Sequence, residues 1–584
     1  MDPASRYQSS GSIASQPTIG STTPRNDNQV DEITSGDSEK RVKEISPTLG
    51  PLHWGQGNGL GQDNDGSEGS QLKSSWSALF KRGGILRPFR LLRSDLRGRT
   101  KLYHTDWFFN QLILASAVYV FFTNLLPGIT FASDLYHLTG ENYGTIEVVF
   151  STGLCGIIFA LFSAQPLTIL GVTGPFCILS ERIYYLCSNT IHIEYMPFMA
   201  WCCIHAAWMH WLLAIFNAHD WTMDYVTTFS TEIFSLLNSV IYFHKAIQEL
   251  QRAHANNSLA SFLYSIIGCV GTFLVAVVLA SANSWPVFHR YVRMGLTEYA
   301  AAISIILFIG IPHIGELNSL DQQRLPISTD FQPTLPGRTQ FFVRFWELPL
   351  GWCFAAMIPG LIITILFFFD VEVSTICATV SRYNLRKPGG YAWDVALLGF
   401  TTGFCGILGI PPANGLLPQA PLHSESLLHN EEIVLEDGTV EVIRTVHEQR
   451  WSHLLHAIGI LAFVSPQLMK LLGLTPTSVL AGLFLFMGEQ SLSVNPILYR
   501  FLDVLTPTST LPRIPEGLHG YQGIHLYTLL QVVVTGAIFA VTLTPAAPVF
   551  PVIIVLLVPI RLKVINRYWN SNTLKCKAHQ DPLV

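Results

Sequence analysis

Asp370 and Glu372 follow an almost unbroken apolar run, PGLIITILFFFDVEV, from Pro359 to Val373. A carboxylate inside a membrane segment is costly unless paired or turned toward a cavity, where it can take up a proton, admit or repel an anion, or fasten a helix. The competing reading is a carboxylate at a helix end in the membrane interface. Two other stretches, AQPLTILGVTGPF (Ala164 to Phe176) and PPANGLLPQAPLHSE (Pro411 to Glu425), carry Pro and Gly at a density that ordinary spanning helices avoid. Non-helical backbone survives at membrane depth only where protein or a water-filled cavity satisfies its polar groups. Each stretch is therefore expected to run extended to about the midplane and then start a half-helix, so that free N–H groups and positive dipole ends face one site. Tyr119, Thr123 and Asn124 add hydroxyl and amide groups that either line that site or pack helices.

These residues need a frame, and the composition supplies it. Of 584 residues, 49% are apolar and 13% are charged, about half the ~25% charge of soluble domains. The chain is thus expected to be an all-α polytopic membrane protein. Apolar blocks of ~20 residues, the length of a spanning helix, recur about fourteen times. Seven lie in 106–313 and seven in 349–560, with a polar stretch at 314–348 between them. Residues 1–80 are polar and are expected to be disordered, because they cannot bury enough apolar surface to offset chain entropy. Residues 81–105 carry eight cations against Asp95 alone, interleaved with leucines, and read as a basic amphipathic juxtamembrane segment. The positive-inside rule puts this end in the cytoplasm, and an even number of spans returns the tail at 561–584 to the same side. Residues 314–348 are then extracellular, and Lys245, Arg252, Arg324 and Arg338 read as cations of outward loops. The sequon Asn256-Asn257-Ser258 would face outward too.

Several function classes drop out. A net charge of -5 without a basic domain argues against nucleic acid as a partner. Most cysteines lie inside apolar blocks, and His205 with His210 and His453 with His456 lack a convergent third ligand, so no metal or other cofactor is expected. No cleavable signal peptide is expected. Neither a phosphate-cradling GxxxxGK[ST] nor a GxSxG elbow occurs, so the chain does not read as an enzyme or a nucleotide-driven pump.

The two halves repeat each other. Thr152-Gly-Leu-Cys-Gly-Ile-Ile158 and Thr402-Gly-Phe-Cys-Gly-Ile-Leu408 are identical at five of seven positions, and Pro127-Gly128 corresponds to Pro359-Gly360. With an odd number of spans per half, the second copy must be inverted, which is the signature of a secondary transporter.

QPLTILGVTGP (Gln165 to Pro175), FSTEIFSLLNSVIYF (Phe229 to Phe243) and PTSVLAGLFLFMG (Pro476 to Gly488) resemble signatures of the bicarbonate-transporter solute carriers, which include the red-cell anion exchanger. LRKPGGYAWD (Leu385 to Asp394) and NGLLPQAPLH (Asn414 to His423) resemble the fungal and plant borate-transporter branch. The likeness spans about Gly84 to Arg567. It implies a seven-plus-seven inverted-repeat fold shared with uracil permeases, with a core domain (segments 1–4 and 8–11), a gate domain (segments 5–7 and 12–14) and a homodimer joined through the gates. Substrate in that fold sits between the N-termini of segments 3 and 10, beside segments 1 and 8.

By position, the resemblance makes Asp370 the segment-8 carboxylate, with Glu372 as a second coupling candidate. It makes Gln165, Pro166 and Thr168 the approach to the segment-3 half-helix, and Pro418, Gln419 and Ala420 the approach to segment 10. Chloride/bicarbonate exchangers place an Arg where Gln419 stands. Without that cation an anion is held by helix dipoles and hydrogen bonds alone, which speaks against chloride/bicarbonate exchange, whereas a small hydroxylated solute such as borate or boric acid offers donors and acceptors that suit Gln419, Thr168 and backbone amides. The expectation is a borate transporter, an exporter working by alternating access and serving boron homeostasis from the plasma membrane. A vacuolar membrane, a bicarbonate/chloride exchanger and a non-transporting scaffold remain alternatives.

Overall fold

The computed structural model describes residues 84–561 apart from 85, 224–227, 257, 321, 381–382, 435–439, 494, 508–520 and 545. The 1–80 tail, the residues beyond 561 and Asn257 of the sequon lie outside the described residues. In chain order the first half contains α1 (Arg90–Leu102), α2 (Gln111–Leu138), α3 (Thr145–Phe162), β1 (Leu170–Gly171), α4 (Gly174–Tyr185), α5 (Tyr195–Ile215), α6 (Ala218–Met223), α7 (Thr228–Asn256), α8 (Leu259–Ala280), α9 (Arg290–Glu298) and α10 (Ala300–Gly310). The second half contains α11 (Leu350–Ala355), α12 (Met357–Ala378), α13 (Tyr391–Leu408), β2 (Asn414–Gly415), α14 (Gln419–Ser426), β3 (Leu428–Val434), β4 (Val440–Val446), α15 (Trp451–Ala462), α16 (Pro466–Leu472), α17 (Thr477–Ser493), α18 (Pro496–Leu505), α19 (Gln522–Thr542) and α20 (Phe550–Ile560).

Among the described residues seven helices are long and apolar enough to cross a membrane, and ten spans result if each of three bent pairs, α9/α10, α15/α16 and α17/α18, counts once. The other blocks of the sequence fall on α4, α14 and α20, with 12, 8 and 11 residues, and on α7, whose polar C-terminal half lowers its hydropathy. Length and hydropathy alone therefore give fewer spans than the blocks suggest.

Three boundaries differ from the sequence reading. The eighth block ends at 370 by hydropathy, but α12 runs on to Ala378, so Asp370 lies inside the helix and not at its end. Lys245 and Arg252 are not loop cations. They lie in α7, where Lys245 Nζ is 2.7 Å from Asp134 Oδ2 and Arg252 reaches Asp134 and Glu249 at 2.5 Å each. Asp134 and Lys245 are fully buried, and mutual neutralisation lets such charges enter a packed interior that hydropathy assigns to apolar residues. The β3–β4 hairpin, paired from Leu428↔Val446 to Val434↔Val440, is an element the sequence reading lacks.

The helices pack in two sets. One comprises α2 to α5 with α12 to α15, and the other α7, α8, α10 and α17 to α19. The Asp134, Lys245 and Arg252 cluster joins α2 of the first set to α7 of the second. Within the first set the repeated motif makes close contacts. A Cβ on Gly156 would lie 2.8 Å from Ala457 Cβ of α15, and one on Gly406 would lie 2.4 Å from Cys203 Cβ of α5, so both copies use glycine for close helix approach. Residues 151–160 and 401–410 have the same residue-by-residue pattern of burial, and Cys155 and Cys405 meet with their sulfurs 3.4 Å apart.

Candidate functional site

The two broken stretches meet. β1 pairs antiparallel with β2 through Leu170↔Gly415 and Gly171↔Asn414, and Leu416 N–H donates to Ile169 O at 2.9 Å. Just beyond the pair, α4 starts at Gly174 and α14 at Gln419, with Pro175 and Pro418 where a missing N–H is harmless. Gly415 is required here, because a Cβ would lie 2.8 Å from Val371 Cα of α12.

Helix α12 lies across β2 and presents Asp370 and Ser374, one turn apart, to it. Asn414 Nδ2 donates to Asp370 Oδ2 at 2.8 Å, and Ser374 Oγ donates to Leu416 O at 3.1 Å. Thr168 Oγ1 is 3.0 Å from Thr375 Oγ1. Helix α2 closes another side: Asn124 Nδ2 donates to Leu170 O at 3.0 Å, and Gln419 Nε2 donates to Thr123 O at 3.2 Å. Tyr119 is half-buried against Val120, Ile169 and Leu416, and Ala420 packs with Ile113 and Leu167. Pro166 contributes its carbonyl, which faces His453. Asp370, Gln165, Thr168, Asn124, Thr123, Tyr119 and Gln419 are thus brought around the strand pair. Glu372 is not, because it points from the opposite side of α12 to His219 Nδ1 at 2.7 Å, and that imidazole stacks on Tyr391 at 3.9 Å.

Three of these buried side chains keep one polar atom without a hydrogen-bond partner among the described residues: Asp370 Oδ1, Gln165 Nε2 and Gln419 Oε1. Such atoms are costly in a packed interior and mark groups free to bind something else. The described hydrogen bonds to residues 164–171 and 411–420 come from carboxylate, imidazole, amide, hydroxyl and backbone groups, with no Lys or Arg among them.

The sequence reading missed the groups that hold the first stretch. Asp394, in the first turn of α13, accepts from Ala164 N–H at 2.6 Å and Gln165 N–H at 2.9 Å. His453 and His423 face the carbonyls of Pro166 and Leu167 at 3.0 Å each. A carboxylate in a first helical turn is ordinary in sequence, and its partners lie 230 and 229 residues away. Behind it, Asp95 of α1 accepts from the N–H groups of Ala392 and Trp393 at 3.0 and 3.3 Å. Burial pushes the Asp95 carboxyl up to about 6, opposed by those two hydrogen bonds. At the same end of the molecule Asp106 accepts from Arg450 Nε at 2.9 Å and also pairs with Lys387.

Paired broken helices closed by a strand pair, inside a bundle of long apolar helices, define a multi-pass membrane carrier. Residues 87–261 and 253–582 match the family described as the bicarbonate transporter integral membrane domain, and the chain belongs to that family of membrane transporters. Boron transporter 1 of Saccharomyces cerevisiae is 34% identical over 79% of this chain and 80% of its own length. Boron transporter 4 of Arabidopsis thaliana is 28% identical over 84% of this chain and 86% of its own length. Human anion exchange protein 2 is 26% identical over 84% of this chain but only 43% of its own length. Among solved structures, the murine solute carrier 26 family member A9 anion transporter in its inward-facing state superposes with a TM-score of 0.52 at 13% identity. That alignment covers 82% of this chain and 73% of that one, and establishes the fold.

Proposed function

We propose that this protein is a secondary transporter that carries borate or boric acid across the membrane at the β1–β2 crossing. The observation that carries this reading is the set of uncommitted polar atoms beside the strand pair, two acceptors on Asp370 and Gln419 and a donor on Gln165. Boric acid and borate present several hydroxyls, each both donor and acceptor, and can satisfy such a set without a fixed cation. Chloride offers no hydrogen-bond donor to the two acceptors on Asp370 and Gln419, and bicarbonate offers only one. The similarity to two proteins named boron transporters supports the same substrate.

In this reading the chain forms fourteen segments, with α4 and α14 as half-helices, and the first helix set moves against the second to expose the site alternately to each side. The second set joins two copies into a homodimer, and both termini face the cytoplasm of a cell that exports boron across its plasma membrane. Asp370 takes up a proton or exchanges Asn414 for substrate during the cycle. The test is borate flux in proteoliposomes under imposed pH, voltage and chloride gradients. Wild-type protein is expected to carry borate without chloride on the opposite side, and Asp370→Asn to lose most flux. Wild-type flux in that variant at every pH would remove Asp370 from the mechanism, and an absolute need for chloride would favour anion exchange.

A further inference from the structure

We propose that His453 and His423 are positioning residues of this site, holding backbone carbonyls of the first broken stretch so that Gln165 and Thr168 face the substrate, with His456 acting through Asn124. The inference rests on the borate-site reading above. The stretch has left helical geometry, and its carbonyls find side chains instead. Pro166 O lies 3.0 Å from His453 Nδ1, Leu167 O lies 3.0 Å from His423 Nδ1, and Leu170 O accepts from Asn124 Nδ2 at 3.0 Å. Asn124 Nδ2 is in turn 3.4 Å from His456 Nε2.

A carbonyl only accepts, so Nδ1 of His423 and of His453 must carry the proton. In a neutral imidazole Nε2 is then an acceptor, and at His423 it receives the Ser452 hydroxyl at 2.6 Å, whose oxygen accepts from Gln449 Nε2 at 2.6 Å. At His456 the donor is Asn124, so Nε2 is the acceptor there as well, which leaves the proton on Nδ1, 3.3 Å from Ser452 O. The same tautomer, with the proton on Nδ1, therefore fits the contacts of all three rings, and His453 Nε2 is left without a hydrogen-bond partner among the described residues. The rings are buried and form a column, His453 stacked on His456 at 5.1 Å and His423 edge-on to His453 at 6.5 Å. Carbonyls turned toward this column leave the Thr168 hydroxyl to α12, where it meets Thr375.

The experiment uses full-length wild type, His453→Asn and His453→Gln in proteoliposomes, with borate flux measured against concentration. The Asn amide reaches the position of Nδ1 and keeps the donor to Pro166, whereas the Gln amide reaches that of Nε2 and does not. Asn is expected to stay within about twofold of the wild-type KM, and Gln to raise KM about tenfold, the equivalent of one hydrogen bond, with a nearly unchanged maximal rate. Matched kinetics in the two variants would overturn the positioning role. Should either variant aggregate, Ser452→Ala keeps every ring but unties the His423 tautomer, and an unchanged KM there would overturn it too. Wild-type vesicles without borate flux would instead overturn the substrate reading on which the inference rests.

Discussion

The two broken stretches face the same physical problem and solve it with different chemistry. Residues 164–168 are held by a carboxylate and two imidazoles, all from the second half of the chain. Residues 411–416 are held by hydroxyls, Ser151 on the Pro411 carbonyl and Ser374 on the Leu416 carbonyl, with Asn414 tied to Asp370. Of the groups that hold backbone here, only the Asp394 carboxylate makes charge-assisted hydrogen bonds, which are roughly twice as strong as neutral ones. The first stretch is thus the more strongly held, and the second carries both Gln419 and the partner of Asp370.

The comparison breaks most sharply at Asp394. Asp394→Ala leaves two buried N–H groups unpaired, at roughly 2–6 kcal/mol together, and is expected to abolish recovery of folded protein, read as yield of monodisperse material. Ser151→Ala removes a neutral bond worth about 1 kcal/mol and should lower the thermal midpoint by only a few degrees. Equal losses in these two variants would erase the asymmetry. Gly415→Ala tests the second stretch, since its Cβ would meet α12 backbone at 2.8 Å. It should cost about 1–3 kcal/mol as overpacking and depress borate flux more than stability. Hydrogen exchange gives a gentler measure: amides at 165–168 should exchange at least about tenfold more slowly than those at 414–417, a difference of 1.4 kcal/mol in opening.

The smallest effect lies behind the first stretch, where Asp95 holds the start of α13 and His219 and Glu372 face it. Its carboxyl sits at about 6 against an ordinary 3.8. A raised value means that its contribution to stability is fully present below 3.8 and is lost as pH rises through about 6. Protection of α1 amides, corrected for intrinsic exchange, should therefore fall between pH 3.8 and about 6 and level off above, and Asp95→Asn should flatten that change.

Sequence revealed the breaks because Pro and Gly are local signals, and it revealed Asp370 because charge in an apolar run stands out. It could not reveal what holds the breaks. Asp394, His423 and His453 look unremarkable along the chain and acquire meaning only across more than 200 residues. Lys245 and Arg252 misled for the opposite reason, since a hydropathy reading sees each charge but not its partner Asp134. Glu372 lies only two residues from Asp370, yet on α12 that spacing turns it to the other side, toward His219.

The meeting of Cys155 with Cys405 bears on the history of the chain. On the inverted-repeat reading, equivalent residues of the two copies touch only where the axis relating them passes, and these thiols would mark that axis. In an ancestor with one copy per chain, the same contact would have joined two subunits, and a single codon would have specified both of its sides. Fusion releases that constraint, and each side can then drift alone. The differences within the seven-residue motif fall at Leu154/Phe404 and Ile158/Leu408, all half-buried, whereas Thr, Gly, Cys and Gly at the buried positions are unchanged. On that reading, drift has touched the rim of an old interface and spared its centre.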